Sequence, residues 1–412
     1  MRDAPFCVSP AFDFKPPARI LSCRPFMSES IYDQLQQTTS RSGVAAALSQ
    51  LSQRLRAEKR YFDLFSARLM EGRHRLGMNV ASADGLDDLP EPQRSQMEQV
   101  YLDACREVGN LLLAERRLGE AWMYLRAVGD KAALAEALEK EGPREDKIDE
   151  FVQLAVHEGL APRRGFETVL EHYGVCNAIT MFDGAMYNRP LEDRQAVAAL
   201  LVQTLHRELM SNLKAEIARQ EGKQPTEPTI GQLVADRDWL FVDDAYHIDT
   251  SHLHSVVRFA RVIEDKDALR LAADLTEYGR RLSTSYQFQT EEPFAEPYRA
   301  HGLFFRAQLG EQVEEALAYF GDKARQLDRE EHGAAPAEIY VALLARIGRP
   351  AEALAAAAEL IPAGTQTTGF APSLLELARA AGEYGKLLDI CRQREDVLAF
   401  AAGLAESQTK VD

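Results

Sequence analysis

The feature of this chain that most limits its fold is a sequence pattern that recurs after 34 residues. In the first copy, Leu344–Gly348 is followed by Glu352–Leu354. In the second, Ala378–Gly382 is followed at the same distance by Lys386–Leu388. Each copy has a helix-forming run that ends at a glycine and a second run shortly after it. The period therefore predicts paired helices, each of which buries one face against its neighbours.

A third copy precedes these two, because Ala307–Gly310 leads to Glu315–Leu317 with one extra residue between them. These copies resemble the tetratricopeptide repeat, and residues 99–140 resemble it as well. In that family two small residues pack where the paired helices cross. Gly109 and Ala121, which stand 12 residues apart, have the corresponding spacing.

The resemblance covers residues 99–140 and 300–406 and is less regular between them. It implies an all-α fold, arranged as a right-handed α-α superhelix of antiparallel helix pairs. It also implies a concave groove that binds a protein or peptide partner. The apolar period agrees with the all-α prediction, since apolar residues recur every three or four positions from Val44 to Leu55.

The first 26 residues differ from the rest, because they contain five prolines and show no helical period. Proline removes an amide donor and fixes φ, so we expect residues 1–26 to be a disordered tail, or an over-called stretch before a true start at Met27. We expect residues 27–283 to form a helical-repeat region with a histidine-rich middle. Residues 294–412 are expected to form tetratricopeptide-like repeats.

The composition restricts the partners that the chain can have. Its formal net charge is −16, which disfavours nucleic acid and anionic membranes. Its five cysteines are far apart and form no CxxC pair, which is typical of reduced thiols and predicts a cytoplasmic protein. No apolar run is long enough to span a bilayer. We therefore expect a protein or peptide partner.

Seven of the nine histidines lie between His157 and His301, and this is the main hint of chemistry in the sequence. His247, Asp249 and His252 lie close together before a predicted helix. They could supply nitrogen and oxygen ligands to a divalent metal, or form an anion site at the helix start. The alternative is that Asp249 or Ser251 caps the helix and His252 is structural.

The other histidines have simpler interpretations. His157 and His172 flank a predicted helix and could line the inner wall of the superhelix as ligand-binding residues; otherwise they are surface residues near a helix end. His206 and His301 share faces with apolar residues and are predicted to lie in the core. His254 shares its face with Arg258 and Arg261, which predicts a solvated stripe.

Two functions remain open at this stage. The favoured hypothesis is a scaffold that binds a protein or peptide partner in its concave groove and needs no cofactor. The alternative is a metal-assisted enzyme whose site is built from histidines between residues 157 and 301. Because the sequence contains no HExxH, P-loop, GxGxxG or GxSxG motif, it favours a non-enzymatic role.

Overall fold

The computed structural model describes residues 30–81 and 88–409, and within these residues it contains helices and no β-strand. The prediction of an all-α fold is confirmed. Residues 1–26 and Met27 lie outside the described residues, as do Cys7 and Cys23. The chain divides into two compact units, Met1–Asp130 and Lys131–Asp412.

The described part of the first unit consists of five helices that pack in sequence order, each on the next. They are α1 (Ile31–Ser42), α2 (Val44–Ala57), α3 (Tyr61–Arg75), α4 (Gln93–Ala114) and α5 (Leu118–Val128). A Cβ atom on Gly109 would lie 2.7 Å from two side-chain atoms of Leu125, and Ala121 is fully buried. The two small residues therefore let α4 and α5 approach closely, as their spacing predicted.

The described part of the second unit begins with eight α-helices, one of which is long and contacts five of the others. They are α6 (Ala132–Glu141), α7 (Ile148–Val152), α8 (Pro162–His172), α9 (Gly174–Ala185), α10 (Leu191–Glu221), α11 (Ile230–Val234), α12 (Thr250–Phe259) and α13 (Lys266–Gly279). Every fourth residue of α10 from Val197 to Ile217 is fully or almost fully buried, which forms one continuous apolar seam. Along this seam α10 contacts α8, α9, α11, α12 and α13. The irregular sequence of this region thus corresponds to helices packed around α10.

The C-terminal half of the second unit returns to packing between sequence neighbours. Its helices are α14 (Pro297–Gln308), α15 (Val313–Gln326), α16 (Arg329–His332), α17 (Ala335–Arg346), α18 (Pro350–Leu360), α19 (Leu374–Ala381), α20 (Tyr384–Gln393) and α21 (Val397–Thr409). Gly348 and Gly382 follow α17 and α19 with φ of 79° and 70°. Only glycine adopts this left-handed conformation without strain, so the glycines that mark the repeat end the first helix of each pair.

The predicted boundary between residues 283 and 294 falls inside the second unit, where α13 and α14 pack against each other. A separate C-terminal domain that begins at residue 294 stays a prediction. None of the helices formed by residues 30–81 and 88–409 combines the length and apolarity needed to cross a membrane.

Candidate functional site

The second unit contains a cavity of about 610 Å³ beside α14 and α17. A short 3₁₀ turn, Ala260–Val262, follows α12 and brings Arg261 to the cavity. The segment before α14 supplies Phe294, and the loop before α19 supplies Phe370. Polar, charged and aromatic side chains therefore meet in one partly open cavity, as is typical of ligand sites.

Arg261 is the central cation of this cavity. Its Cζ lies 4.8 Å from the centroid of the Phe294 ring, and its Nε donates to the Arg258 carbonyl at 3.1 Å. Among residues 30–81 and 88–409, no hydrogen bond or ion pair satisfies either Nη atom. Burial, followed by repulsion from Arg258, lowers the pKa of Arg261 to about 10. The guanidinium is therefore charged at neutral pH. It forms no ion pair with a described residue, and the Glu291 carboxylate attracts it only from beyond ion-pair distance.

The backbone that carries Arg261 is fixed by a second arginine. Arg346 donates from Nη1 to the Arg261 carbonyl at 2.6 Å. Its guanidinium also lies 4.8 Å from the centroid of Phe370. Arg346 lies at the end of α17, so this contact ties the backbone of Arg261 to that helix and limits the movement of the Arg261 guanidinium.

His301 lines the same cavity and is almost completely buried. Its Nδ1 lies 2.5 Å from the Pro297 carbonyl oxygen, which can only accept, so Nδ1 carries the proton. Its ring stacks on Phe294 with centroids 4.2 Å apart. Burial and the nearby arginines lower the pKa of His301 well below its ordinary value, so the ring is neutral. Nε2 is therefore a buried acceptor, and no described group donates to it.

The remaining charges of the cavity wall have partners, with one exception. Arg258 pairs with Asp183 at 2.8 Å, and Glu292 pairs with Lys323 at 2.6 Å. The buried Glu338 carboxylate accepts from the backbone amides of Thr368 and Gly369 and from the Thr368 hydroxyl. The exception is Glu291, which is exposed and forms no ion pair with any described residue.

The predicted metal residues have local partners of their own. His247 is half-buried, and its Nδ1 lies 3.1 Å from the Tyr278 hydroxyl oxygen. Asp249 caps α12 by accepting from the amides of Ser251 and His252, so the capping role is confirmed. His252 is half-buried in the first turn. Within the described residues, no three His, Cys, Asp or Glu side chains are arranged to hold a metal ion. The metal site stays a prediction.

His157 and His172 both have exposed side chains, on either side of α8. His157 is the last residue of a π-helical segment, Gln153–His157, that continues α7. It lines an open cavity of about 320 Å³ together with Tyr173 and Met181. His172 does not line this cavity. Their role as ligand-binding residues stays a prediction.

The structure confirms one prediction about the other histidines and corrects another. His301 is a core residue, as predicted, and His206 is largely buried, with 13% of its side chain exposed, and pairs with Asp274 at 2.8 Å. The expected solvated stripe of His254, Arg258 and Arg261 is wrong. All three residues are half-buried, and Nδ1 of His254 is buried without a partner among the described groups. The segment before α14 covers this face, since Phe288 contacts the His254 ring.

No protein family, curated protein or solved structure matches this chain. The geometry of the chain itself must therefore carry any functional conclusion.

Sequence reasoning missed Arg261, Phe294 and Glu338 as functional candidates. Helical spacing placed Arg261 on a solvent face, because it takes no account of a loop that folds over that face. One signal was available: the segment 287–296 contains two phenylalanines, Phe288 and Phe294, in its sequence, which is unusual for an exposed loop.

The neutral, buried His301 leads to a testable pH dependence. Below the ordinary pKa of 6.5 the unfolded chain takes up a proton that the folded chain excludes, so stability decreases as the pH falls. We expect the free energy of unfolding to fall between pH 6.5 and pH 5, with a contribution from this residue of at most about 1.4 kcal/mol per pH unit. His247 and His254, whose pKa values burial also lowers, act in the same direction.

Urea unfolding at pH 7.5 and pH 5.0 measures this effect. His301→Asn keeps a donor for the Pro297 carbonyl and removes the titration, so it should show a smaller loss at pH 5.0 than the wild type. An equal loss in the two proteins would contradict the assignment of a neutral ring.

Proposed function

We propose that this chain is a binding protein, a tetratricopeptide-like scaffold that holds a protein or peptide partner. In this proposal the helix pairs form a right-handed α-α superhelix, and the partner places an acidic group in the cavity at Arg261. The observation that carries the proposal is the half-buried Arg261 guanidinium, which forms no ion pair with a described residue.

The energetic argument rests on charge burial. A buried charge is destabilising unless a counter-charge and hydrogen bonds compensate for it. Arg258 and Glu292 in the same cavity wall have such partners, whereas Arg261 forms no ion pair with a described residue. An arginine fork binds a carboxylate with two parallel hydrogen bonds, and this contact would replace the missing pair.

The architectural argument rests on the C-terminal helices. The pairs α14 with α15, α17 with α18, and α19 with α20 pack next to one another along the chain. Small buried residues lie in the second helix of two pairs, since Ala316 and Ala353 are fully buried. Such stacking supports a repeat scaffold, a type of protein whose usual role is to bind partners on an extended surface.

Selection from a phage-displayed library of random peptides with purified full-length chain tests the proposal. We expect the enriched peptides to contain Asp or Glu, and their affinity to fall at least tenfold on Arg261→Met. Methionine keeps the contact with Phe294 and removes the charge.

Arg270→Gln is the matched control. Arg270 is an exposed arginine of α13 that pairs with Asp267, so its loss should leave peptide binding unchanged. Peptides that bind wild type and Arg261→Met equally well, or a selection that enriches none, would overturn the proposal.

A further inference from the structure

We infer that the group bound in the Arg261 cavity carries one negative charge and, beside it, a hydrogen-bond donor. Its chemical class is a carboxylate with an adjacent hydroxyl or amide N–H. Arg261 would bind the carboxylate and His301 would accept from the donor. The inference deepens the proposed function. It rests on the proposed function in one respect only, namely that both place a ligand in the same cavity.

The charge argument limits the ligand to a monoanion. Arg261 is the cation of the cavity wall that forms no ion pair with a described residue, because Arg258 already pairs with Asp183. The cavity is also lined by Glu291 and Glu292, and only Glu292 has an ion-pair partner among the described residues. Glu291 attracts Arg261 from beyond ion-pair distance. Because Glu291 already offsets part of the charge of Arg261, a dianion such as phosphate would bring more negative charge than Arg261 can compensate and would be repelled by Glu291 more strongly than a monoanion.

The donor argument follows from the tautomer of His301. Because the Pro297 carbonyl takes the proton of Nδ1, Nε2 presents only a lone pair. No described residue donates to Nε2 of His301, and water cannot easily replace a donor because His301 is only about 1% exposed. An unsatisfied buried acceptor is destabilising, so a ligand that brings a donor is favoured over one that does not.

Phe294 contacts both the cation, Arg261, and the hydrogen-bond acceptor, His301. The Arg261 guanidinium lies over its ring at 4.8 Å, and the His301 ring stacks on it at 4.2 Å. Both polar groups therefore flank the same aromatic ring and line the same cavity. Ile339 and Phe370 add further apolar surface, which suits an organic acid better than a small inorganic ion.

A matched set of probes tests this chemistry by isothermal titration calorimetry on the full-length chain. Mandelate has the carboxylate and the donor, phenylacetate lacks the donor, and mandelamide lacks the charge. Inorganic phosphate is the dianionic probe. We expect mandelate to bind about tenfold more tightly than phenylacetate, with mandelamide and phosphate weaker still.

Two variants assign the contacts to residues. Arg261→Met should weaken mandelate and phenylacetate alike, by at least tenfold. His301→Phe should abolish the preference for mandelate over phenylacetate and leave phenylacetate binding unchanged. His301→Asn, which retains a donor for Pro297, should give the same loss of preference if His301→Phe fails to fold. Arg270→Gln should bind all probes as the wild type does.

The same chemistry can come from a free acid or from an aspartate of a partner chain, whose carboxylate lies beside a backbone N–H. A blocked tripeptide, acetyl-Ala-Asp-Ala-amide, distinguishes these sources. Binding of the tripeptide that is sensitive to both Arg261→Met and His301→Phe assigns the ligand to a partner chain. Mandelate binding with the same sensitivity, without tripeptide binding, assigns it to a free acid.

Equal affinity for mandelate and phenylacetate, or phosphate binding as tight as mandelate binding, would overturn the inference. Either result leaves the proposed function standing if library peptides still depend on Arg261. Binding of neither mandelate nor the tripeptide would also overturn the inference, and the peptide selection then decides the proposed function separately.

Discussion

Replacement of Gly279 by alanine should lower the free energy of unfolding by about 3 kcal/mol, at the upper end of the usual cost of overpacking. Gly279 is the last residue of α13, and an added Cβ would lie under 3.0 Å from three ring carbons of Tyr298 in α14. Tyr298 is almost fully buried, so its ring cannot move aside without opening the core.

Gly184→Ala is the control for this prediction. Gly184 lies in α9, and its added Cβ would meet nothing within 4 Å. We expect this variant to be neutral or more stable by up to about 1 kcal/mol, because alanine restricts the unfolded chain. Urea unfolding of both variants measures the difference. Similar stability of the two would show that α13 and α14 do not cross at Gly279.

Replacement of Glu338 by alanine is the second large effect, with an expected loss of about 3 kcal/mol. The Glu338 carboxylate lies inside the second unit and accepts from three donors of Thr368 and Gly369. Hydrogen bonds to a charged group are among the strongest in proteins, and this set ties the loop between α18 and α19 to α17. Without it the loop should detach.

Hydrogen exchange should accordingly show faster exchange of the Thr368 and Gly369 amides in Glu338→Ala. Glu338→Gln keeps the side-chain shape and one acceptor oxygen, so its loss should be smaller. Because Thr368 and Phe370 line the Arg261 cavity, Glu338→Ala should also weaken mandelate binding. Unchanged exchange at both amides would contradict the role of Glu338 as the anchor of the loop.

The helices and their pairing could be predicted from sequence, because the period of apolar residues is a local property. Gly348 and Gly382 ended helices as expected, since the left-handed turn at each needs glycine. The Arg261 cavity could not be predicted in the same way. Arg261 and His301 are 40 positions apart, and they meet only through the packing of α14 against the turn after α12.

The histidines also show that sequence patterns predict local structure better than contacts between distant segments. Asp249 was one of the two helix caps that the sequence predicted, because capping depends on the next few residues alone. The environment of His254 was misjudged because it depends on a loop some 30 residues away. Local rules therefore described the elements, whereas the solvent exposure of a helix face depended on distant segments.

The order in which the C-terminal helices pack also predicts the order in which they unfold. The main contacts of α21 are with α20 and α19, and those of α20 are with α19 and α21. In such a linear arrangement, each interface contributes nearly independently to cooperativity, and the end of the array frays first. Heating should therefore release α20 and α21 while α13 and α14 still hold Phe294 against His301, so that melting of the last helices can precede loss of the cavity.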